Sequence, residues 1–301
     1  MKVLSLTEPC ATLIKNGIKR VETRSWKTNY RGELYIHASK TKIPKEWKEN
    51  REFMSLVTTS LHYGYIICKC KLKDCIYMTE EYVKDMKENH YREYLCGKYE
   101  VGRYAWILED LEILNEPIKA NGQLNIWEYY NEFEIMDLMN DIQYGWIDKK
   151  GNKYIDDSIS DAEFSNTYLL QTPKEIIKNK IGVCYDQVGL ERFYFKGNDW
   201  NIATYFLGSS TNRKVPTHTF LTFEKNSKYY WFEHAFEKFR GIHEYSTLNE
   251  LLLDVKNKFE NTYLNNYLNN CHINLYQYNK PKYHIDEAMF IDHCTSGTKM
   301  I

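Results

Sequence analysis

Val21-Glu22-Thr23-Arg24-Ser25-Trp26 alternates in polarity, Tyr30-Arg31-Gly32 turns the chain, and Glu33-Leu34-Tyr35-Ile36-His37-Ala38 alternates again. Side chains of a strand point to opposite faces with a period of two, so this pattern predicts two strands joined at a glycine turn. Ahead of them, the apolar spacing from Cys10 to Ile14 predicts a short helix ending near Asn16-Gly17, where glycine can take the left-handed C-cap geometry. Further strands are expected at Tyr63–Lys73 and Tyr104–Leu114, with a helical segment at Glu80–Glu88 between them. The pattern describes a compact mixed-strand domain with short helices over residues 1–130.

The second half reads differently. An acidic helical stretch, Glu132-Phe133-Glu134-Ile135-Met136-Asp137-Leu138-Met139, opens it, and residues 131–301 are expected to form a second domain. Thr172-Pro173-Lys174-Glu175 has proline in a helical first turn, and Gly182-Val183-Cys184 leads into a helix over Tyr185–Phe195. Alternating strands follow at Thr217–Glu224 and Tyr229–Phe236, then Thr247-Leu248-Asn249-Glu250 forms a capping box for a helix reaching about Phe259.

A chain of 301 residues exceeds one ordinary core, and its 43% hydrophobic and 27% charged content are those of a globular protein in two domains. No run of about 18 uncharged apolar residues occurs, so no membrane span is expected. The start, Met1 to Pro9, lacks the apolar core of a signal peptide, and the expected location is cytoplasmic. The eight cysteines are accordingly expected as thiols. Cys68, Cys70 and Cys75 match no common zinc spacing, and His272, His284, His293 and Cys294 are irregularly spaced, so no metal and no cofactor are expected. Net charge is −1, which excludes a purely electrostatic nucleic-acid binder, but residues 1–51 hold twelve Lys or Arg against five Asp or Glu. If one end of the chain meets phosphate, it is this one.

A catalytic thiolate at neutral pH draws on a helix N-terminus and a neighbouring imidazole. Cys184 stands where the first is available, and the first backbone N–H groups could serve an oxyanion. His218, sharing a strand face with Phe220 and Thr222, could supply the second. Glu233 lies across the turn Lys225-Asn226-Ser227-Lys228 and could orient that imidazole. Each residue alone is more often a packed cysteine or a hydrogen-bonded histidine; their order gives the conjunction its weight. Cysteine at a glycine-preceded helix start, then a strand histidine, then an acid on the next strand resembles the transglutaminase-like cysteine enzymes over about residues 168–260. That resemblance implies an α+β domain with a helix packed on an antiparallel sheet. It also implies Cys184 as nucleophile, His218 as base and Glu233, where the superfamily usually has aspartate, as orienting acid. The implied substrate is a protein or peptide amide, handled by amidase, protease or acyltransferase chemistry through a thioester.

In the first half, Gly17-Ile18-Lys19-Arg20-Val21-Glu22-Thr23-Arg24 sets a carboxylate beside two cations. Such a group can hold a base edge while Lys or Arg holds phosphate, and Trp26 and Tyr30 offer stacking surfaces. The bland reading is a solvated edge strand with ordinary ion pairs. The longer pattern, Leu4–Ile14, Gly17-Ile18-Lys19, Glu22–Trp26, Tyr30-Arg31-Gly32, Ile36-His37-Ala38-Ser39 and Gly122–Trp127, resembles the ASCH domains of the PUA-like superfamily over residues 1–130. The resemblance implies a β-barrel that binds RNA or a modified nucleotide in a cleft lined by Lys19, Glu22 and Arg24. Two functions follow as expectations: a cysteine enzyme directed to nucleic acid by its first domain, or a nucleotide-binding protein whose second domain is an inactive interaction platform. Oligomeric state is not legible.

Overall fold

The computed structural model describes residues 1–155, 161–209, 215–263 and 273–301. The chain divides into two units: Met1–Tyr129 with Gly197–Asp199, and Tyr130–Lys196 with Trp200–Ile301.

In the first unit β1 (Lys2–Leu6) leads into α1 (Cys10–Lys15), followed by β2 (Val21–Arg24), β3 (Gly32–Ala38), α2 (Lys45–Glu49) and α3 (Arg51–Met54). The long strands β4 (Tyr65–Tyr77) and β5 (Tyr104–Lys119) flank α4 (Glu80–Asn89) and α5 (Tyr91–Tyr94), and β6 (Ile126–Glu128) closes the unit. These six strands make one sheet in the order β2-β5-β4-β3-β1-β6, antiparallel except for the β1–β3 pair. Three register shifts between β4 and β5 mark bulges, which bend a strand and increase its twist. The sheet curls far enough for Arg24 on β2 to reach the carbonyl of Ser5 on β1 at 3.3 Å. No ladder joins β2 to β6 among the described residues, so the expected barrel is a β-rich curled sheet left open at its edges.

The apolar rows predicted from alternation fill its interior. Leu34, Ile36 and Ala38 of β3 pack with Cys68, Cys70 and Leu72 of β4, Trp106 of β5, and Ala11, Leu13 and Ile14 of α1. Cys68 and Cys70 are therefore core residues, their side chains turned inward on a strand.

The second unit begins with α6 (Glu132–Met139), whose N-terminus is closed by a reciprocal cap: Asn131 accepts from the Glu134 N–H while Glu134 accepts from the Asn131 N–H. A small hairpin of β7 (Trp146–Ile147) and β8 (Lys153–Tyr154) follows, then α7 (Asp161–Thr167), α8 (Pro173–Asn179) and α9 (Cys184–Tyr194). The strands β9 (Asn201–Gly208), β10 (His218–Lys225), β11 (Lys228–Glu233) and β12 (Gly241–Tyr245) precede α10 (Leu248–Tyr263), β13 (Asn274–Tyr278), α11 (Glu287–Thr295) and β14 (Thr298–Lys299). The main sheet is antiparallel throughout, in the order β12-β11-β10-β9-β13-β14.

Alternation gives this sheet two faces and two helical layers. Leu207, Phe220 and Trp231 pack under Leu251, Leu252, Val255 and Phe259 of α10. Leu221, Phe223 and Phe232, on the opposite face, pack against Ile135 and Met139 of α6, Ile176 of α8 and Leu190 of α9. The β10–β11 hairpin closes through Asn226 and Ser227, both left-handed with φ of 53° and 59°. A two-residue turn of that hand matches the twist of the strands it joins.

Candidate functional site

Cys184 is the first residue of α9, and the sequence before it explains its placement. Thr172 and Glu175 cap α8 reciprocally, and Lys180 ends that helix in the left-handed conformation. Gly182 then passes so close to Asp186 that a Cβ there would lie 2.8 Å from the aspartate Cβ. Asp186 turns back to accept the Val183 N–H at 3.1 Å, fixing the first turn of α9, and also accepts from the Gln171 N–H and the Tyr168 hydroxyl. Burial nonetheless wins over these three donors and pushes the Asp186 carboxyl up to about 7.

His218 opens β10 and Glu233 ends β11. They are diagonal neighbours on one face of the antiparallel pair, since Leu221 stands opposite Phe232. His218 Nε2 lies 2.8 Å from Glu233 Oε2, and both residues are buried. Trp231, two residues earlier on the same strand face, donates its indole N–H to the same oxygen at 3.1 Å, while the Phe236 N–H donates to Oε1 at 2.7 Å. The carboxylate is thus held by three donors before any chemistry begins. Phe220 and Phe259 stack on the His218 ring and Phe236 meets it edge-on.

Nε2 is committed to Glu233, and Cys184 is near enough to the ring to favour its charged form. Burial would lower the His218 pKa, but the Glu233 carboxylate and then Cys184 outweigh it and push it up to about 10. Of the three residues picked out by their order in the chain, His218 and Glu233 are brought into direct contact, and Cys184 acts on the ring electrostatically.

Sequence reasoning missed the groups around them. Gln187, one turn into α9, accepts from His234 Nδ1 at 2.7 Å and donates to the Gly182 carbonyl at 2.8 Å. Burial and then the Arg240 charge push His234 down to about 4, leaving a neutral ring. Tyr144 was also missed; burial and then the neighbouring Cys184 push its phenol pKa up. The signal for Trp231 was available, because a residue two before Glu233 must share its strand face.

In the first unit the structure also gathers Lys19, Glu22 and Arg24, but distributes their work unevenly. Lys19 is 1% exposed, and its ammonium donates to the carbonyls of Val21 at 2.6 Å and Cys96 at 2.8 Å and pairs with Glu22 at 3.3 Å. An ammonium has three donors, so none remains for a phosphate. Burial opposes the Lys19 charge, but the carboxylate of Glu22 prevails and its pKa is raised. Arg24 Nε is 3.1 Å from Glu22 Oε1, an ion pair whose N–H is not aligned for a hydrogen bond. The Arg24 side chain keeps a quarter of its surface exposed.

Trp26 and Tyr30 are half-buried against the core. Trp26 meets Trp106 edge-on at 4.7 Å, and the Tyr30 hydroxyl donates to the Glu33 carbonyl. A cavity of about 290 Å³ opens beside the start of the motif, walled by Gly17, Lys19 and Arg20 with Leu108 and Glu109. Glu8, quoted in the motif but given no role, is fully buried and accepts from the Thr12 N–H and hydroxyl and from the His62 N–H, fastening α1.

Residues 4–146 match the ASCH domain family. The ASCH match spans β1 to β6 and runs on through α6 to Trp146, past the point at which the first structural unit ends. No curated protein matches the chain. Among the described residues no three His, Cys, Asp or Glu side chains form a group able to hold a metal ion, and no helix is long and apolar enough to cross a membrane. His272 lies outside the described residues; His284 meets Glu175, His293 meets the Asn279 carbonyl, and Cys294 is buried in the core.

Proposed function

We propose that the second unit is a transglutaminase-like cysteine hydrolase or acyltransferase and that the ASCH domain binds RNA or a modified nucleotide. The observation that carries the enzymatic reading is the committed geometry of His218: Nε2 is held by Glu233 at 2.8 Å, and Cys184, on the first residue of a helix, lies near enough to favour the charged ring. The sulfur attacks an amide carbonyl carbon, and the tetrahedral oxyanion is met by N–H groups of the first turn of α9. The imidazolium gives its proton to the leaving amine as the C–N bond breaks, producing a thioester. Water, or an amine in acyl transfer, then attacks the thioester; His218 takes its proton and the sulfur leaves.

Alkylation of Cys184 by iodoacetamide as a function of pH tests this. The wild type is expected to label well below the free-thiol range, and His218→Ala only as pH rises through about 8.5, the ordinary cysteine value. Superimposable profiles would overturn the reading.

One observation favours the alternative of an inactive platform: Cys184 is only 4% exposed. In that case the ASCH domain does the work alone. On either reading Arg24, with exposed surface and an unaligned Nε, is the cation that meets phosphate, while Lys19 holds Glu22 in place. Retention of single-stranded RNA by the full chain, weakened by Arg24→Ala and by added salt, is the expected result.

A further inference from the structure

One face of the first unit's sheet changes character within two rungs. Glu22 of β2 stands opposite Trp106 of β5, which stands opposite Cys75 of β4, and all three are buried. The next rung is Arg24, Tyr104 and Tyr77, the last residue of β2, the first of β5 and the last of β4. Directly opposed residues of antiparallel strands share a face, so these side chains form one row with a cation at its end. The row is open to solvent: Tyr77 is 52% exposed, Tyr104 is half-buried, and Arg24 keeps a quarter of its surface. The two phenol rings meet edge-on with centroids 5.6 Å apart. Tyr104 packs against the core, so it braces a ring that stands largely in solvent.

An exposed aromatic ring in one row with a guanidinium is complementary to a nucleotide, whose base has a π-face and whose phosphate is an anion. Two observations favour that occupant over an apolar partner. Arg24 Nε and the Trp106 indole N–H, on adjacent rungs of this face, are buried donors with no hydrogen-bond partner among the described residues, while Glu22 is engaged by Lys19 and Arg24. Arg103, next to Tyr104, adds a second guanidinium, held at this edge by the Lys98 and Thr23 carbonyls at 3.1 and 3.3 Å. We propose that Tyr77, braced by Tyr104, is a stacking platform for one base of a single-stranded RNA, with Arg24 at the phosphate of that nucleotide. Two strand spacings, about 10 Å, separate the backbones of Arg24 and Tyr77, so cation and ring lie within reach of one nucleotide. The row stands at the ends of three strands and is open, which suits a base within a continuing chain. The proposal deepens the reading of the ASCH domain as RNA-binding and rests on it.

Binding of a fluorescently labelled oligouridine to the full chain, followed by anisotropy over a salt series, tests the platform with Tyr77→Leu, Tyr77→Phe and Tyr63→Leu. Tyr63 is 42% exposed and lies just ahead of β4, at the other end of that strand, so it serves as the control. Tyr77→Leu keeps apolar volume but loses the flat ring, and it should bind about fivefold or more weakly, the scale of one stacked base. Its logarithmic salt slope should equal that of the wild type, since no phosphate contact is lost. Tyr77→Phe and Tyr63→Leu should bind as the wild type does. Wild-type affinity in Tyr77→Leu, or equal losses in the Leu and Phe variants, overturns the platform and leaves RNA binding by the domain standing. No binding by the wild type at low salt removes the RNA reading and the platform together. Should Tyr77→Leu fail to fold, as read by circular dichroism, Tyr77→Trp decides: it keeps a stacking face and should bind at least as tightly as the wild type, and a fivefold loss there overturns the platform.

Discussion

Two buried clusters of charge can be set side by side, Lys19–Glu22–Arg24 in the ASCH domain and Cys184–His218–Glu233 in the second unit. In the first, the deepest group spends every donor inside the protein: two carbonyls and one carboxylate account for the Lys19 ammonium. In the second, the Glu233 carboxylate is held by His218, Trp231 and Phe236, but the imidazole uses only one of its two nitrogens in that network, with Cys184 near enough to favour its charged form. A closed network fixes shape, and a network left open by one atom can do chemistry. Burial alone does not distinguish them; the accounting of donors and acceptors does.

The sharpest way to break this contrast is to open the closed cluster. Lys19→Ala leaves Glu22 and two carbonyls unpaired in the interior and is expected to cost about 3–5 kcal/mol, read as a lower urea midpoint. A loss under about 1 kcal/mol would show that the ammonium is not structural. Next in size is Glu233→Ala, which strands the Trp231 indole N–H and the Phe236 N–H as well as the ring. A destabilisation of about 2–4 kcal/mol is expected, together with loss of Cys184 labelling at acid pH.

Titration gives a smaller, graded effect. The His218 pKa is raised in the folded state to about 10. Its contribution to stability is therefore complete below the unfolded value of about 6.5 and declines as pH rises through about 10. Denaturation midpoints between pH 7 and 10 should fall in the wild type and be flatter in His218→Gln; parallel slopes would contradict the charged ring. The smallest effect is expected at the surface of the closed cluster. Arg24→Ala should change stability by about 1 kcal/mol or less, yet lower the logarithmic salt dependence of RNA retention by about 0.7, the value of one single-strand phosphate contact. An unchanged slope would take Arg24 off the phosphate.

Much of this was legible in the sequence where a local rule applies. The pairs Thr172 with Glu175 and Thr247 with Glu250 announced helix starts, and both threonines accept the N–H three residues on. The second pair is incomplete as a box, since Glu250 turns to the Ser246 N–H instead. The alternation of Thr217–Glu224 and Tyr229–Phe236 gave strands, and the hairpin between them gave the His218–Glu233 pair. The strand expected to reach Phe236 stops at Glu233, whose carboxylate accepts the Phe236 N–H and ends the ladder.

What escaped lacked a local signature. In β9, Tyr205, Phe206 and Leu207 are buried in succession because helices cover both faces, so the period of two vanishes. The strand β13 is sequence-distant from its partner β9, and no spacing rule connects them. Lys19 was assigned outward to phosphate because a lysine beside a glutamate reads as solvated, and its true partners include a carbonyl 77 residues away. The pairing of residue 143 with 181, which carries Tyr144 toward the turn before Cys184, likewise has no local signature.

The turn at Asn226-Ser227 has a reach well beyond its size. Strand registry propagates from it along every rung of the hairpin to His218 and Glu233 at the open end. One inserted residue there would slide one edge past the other by a single step, and Glu233 would exchange faces with Phe232. The carboxylate would then point into the layer beneath α9 and the ring would meet a phenyl group in its place. The turn therefore works as a ruler, and the spacing of acid and base is written in two left-handed residues that touch neither.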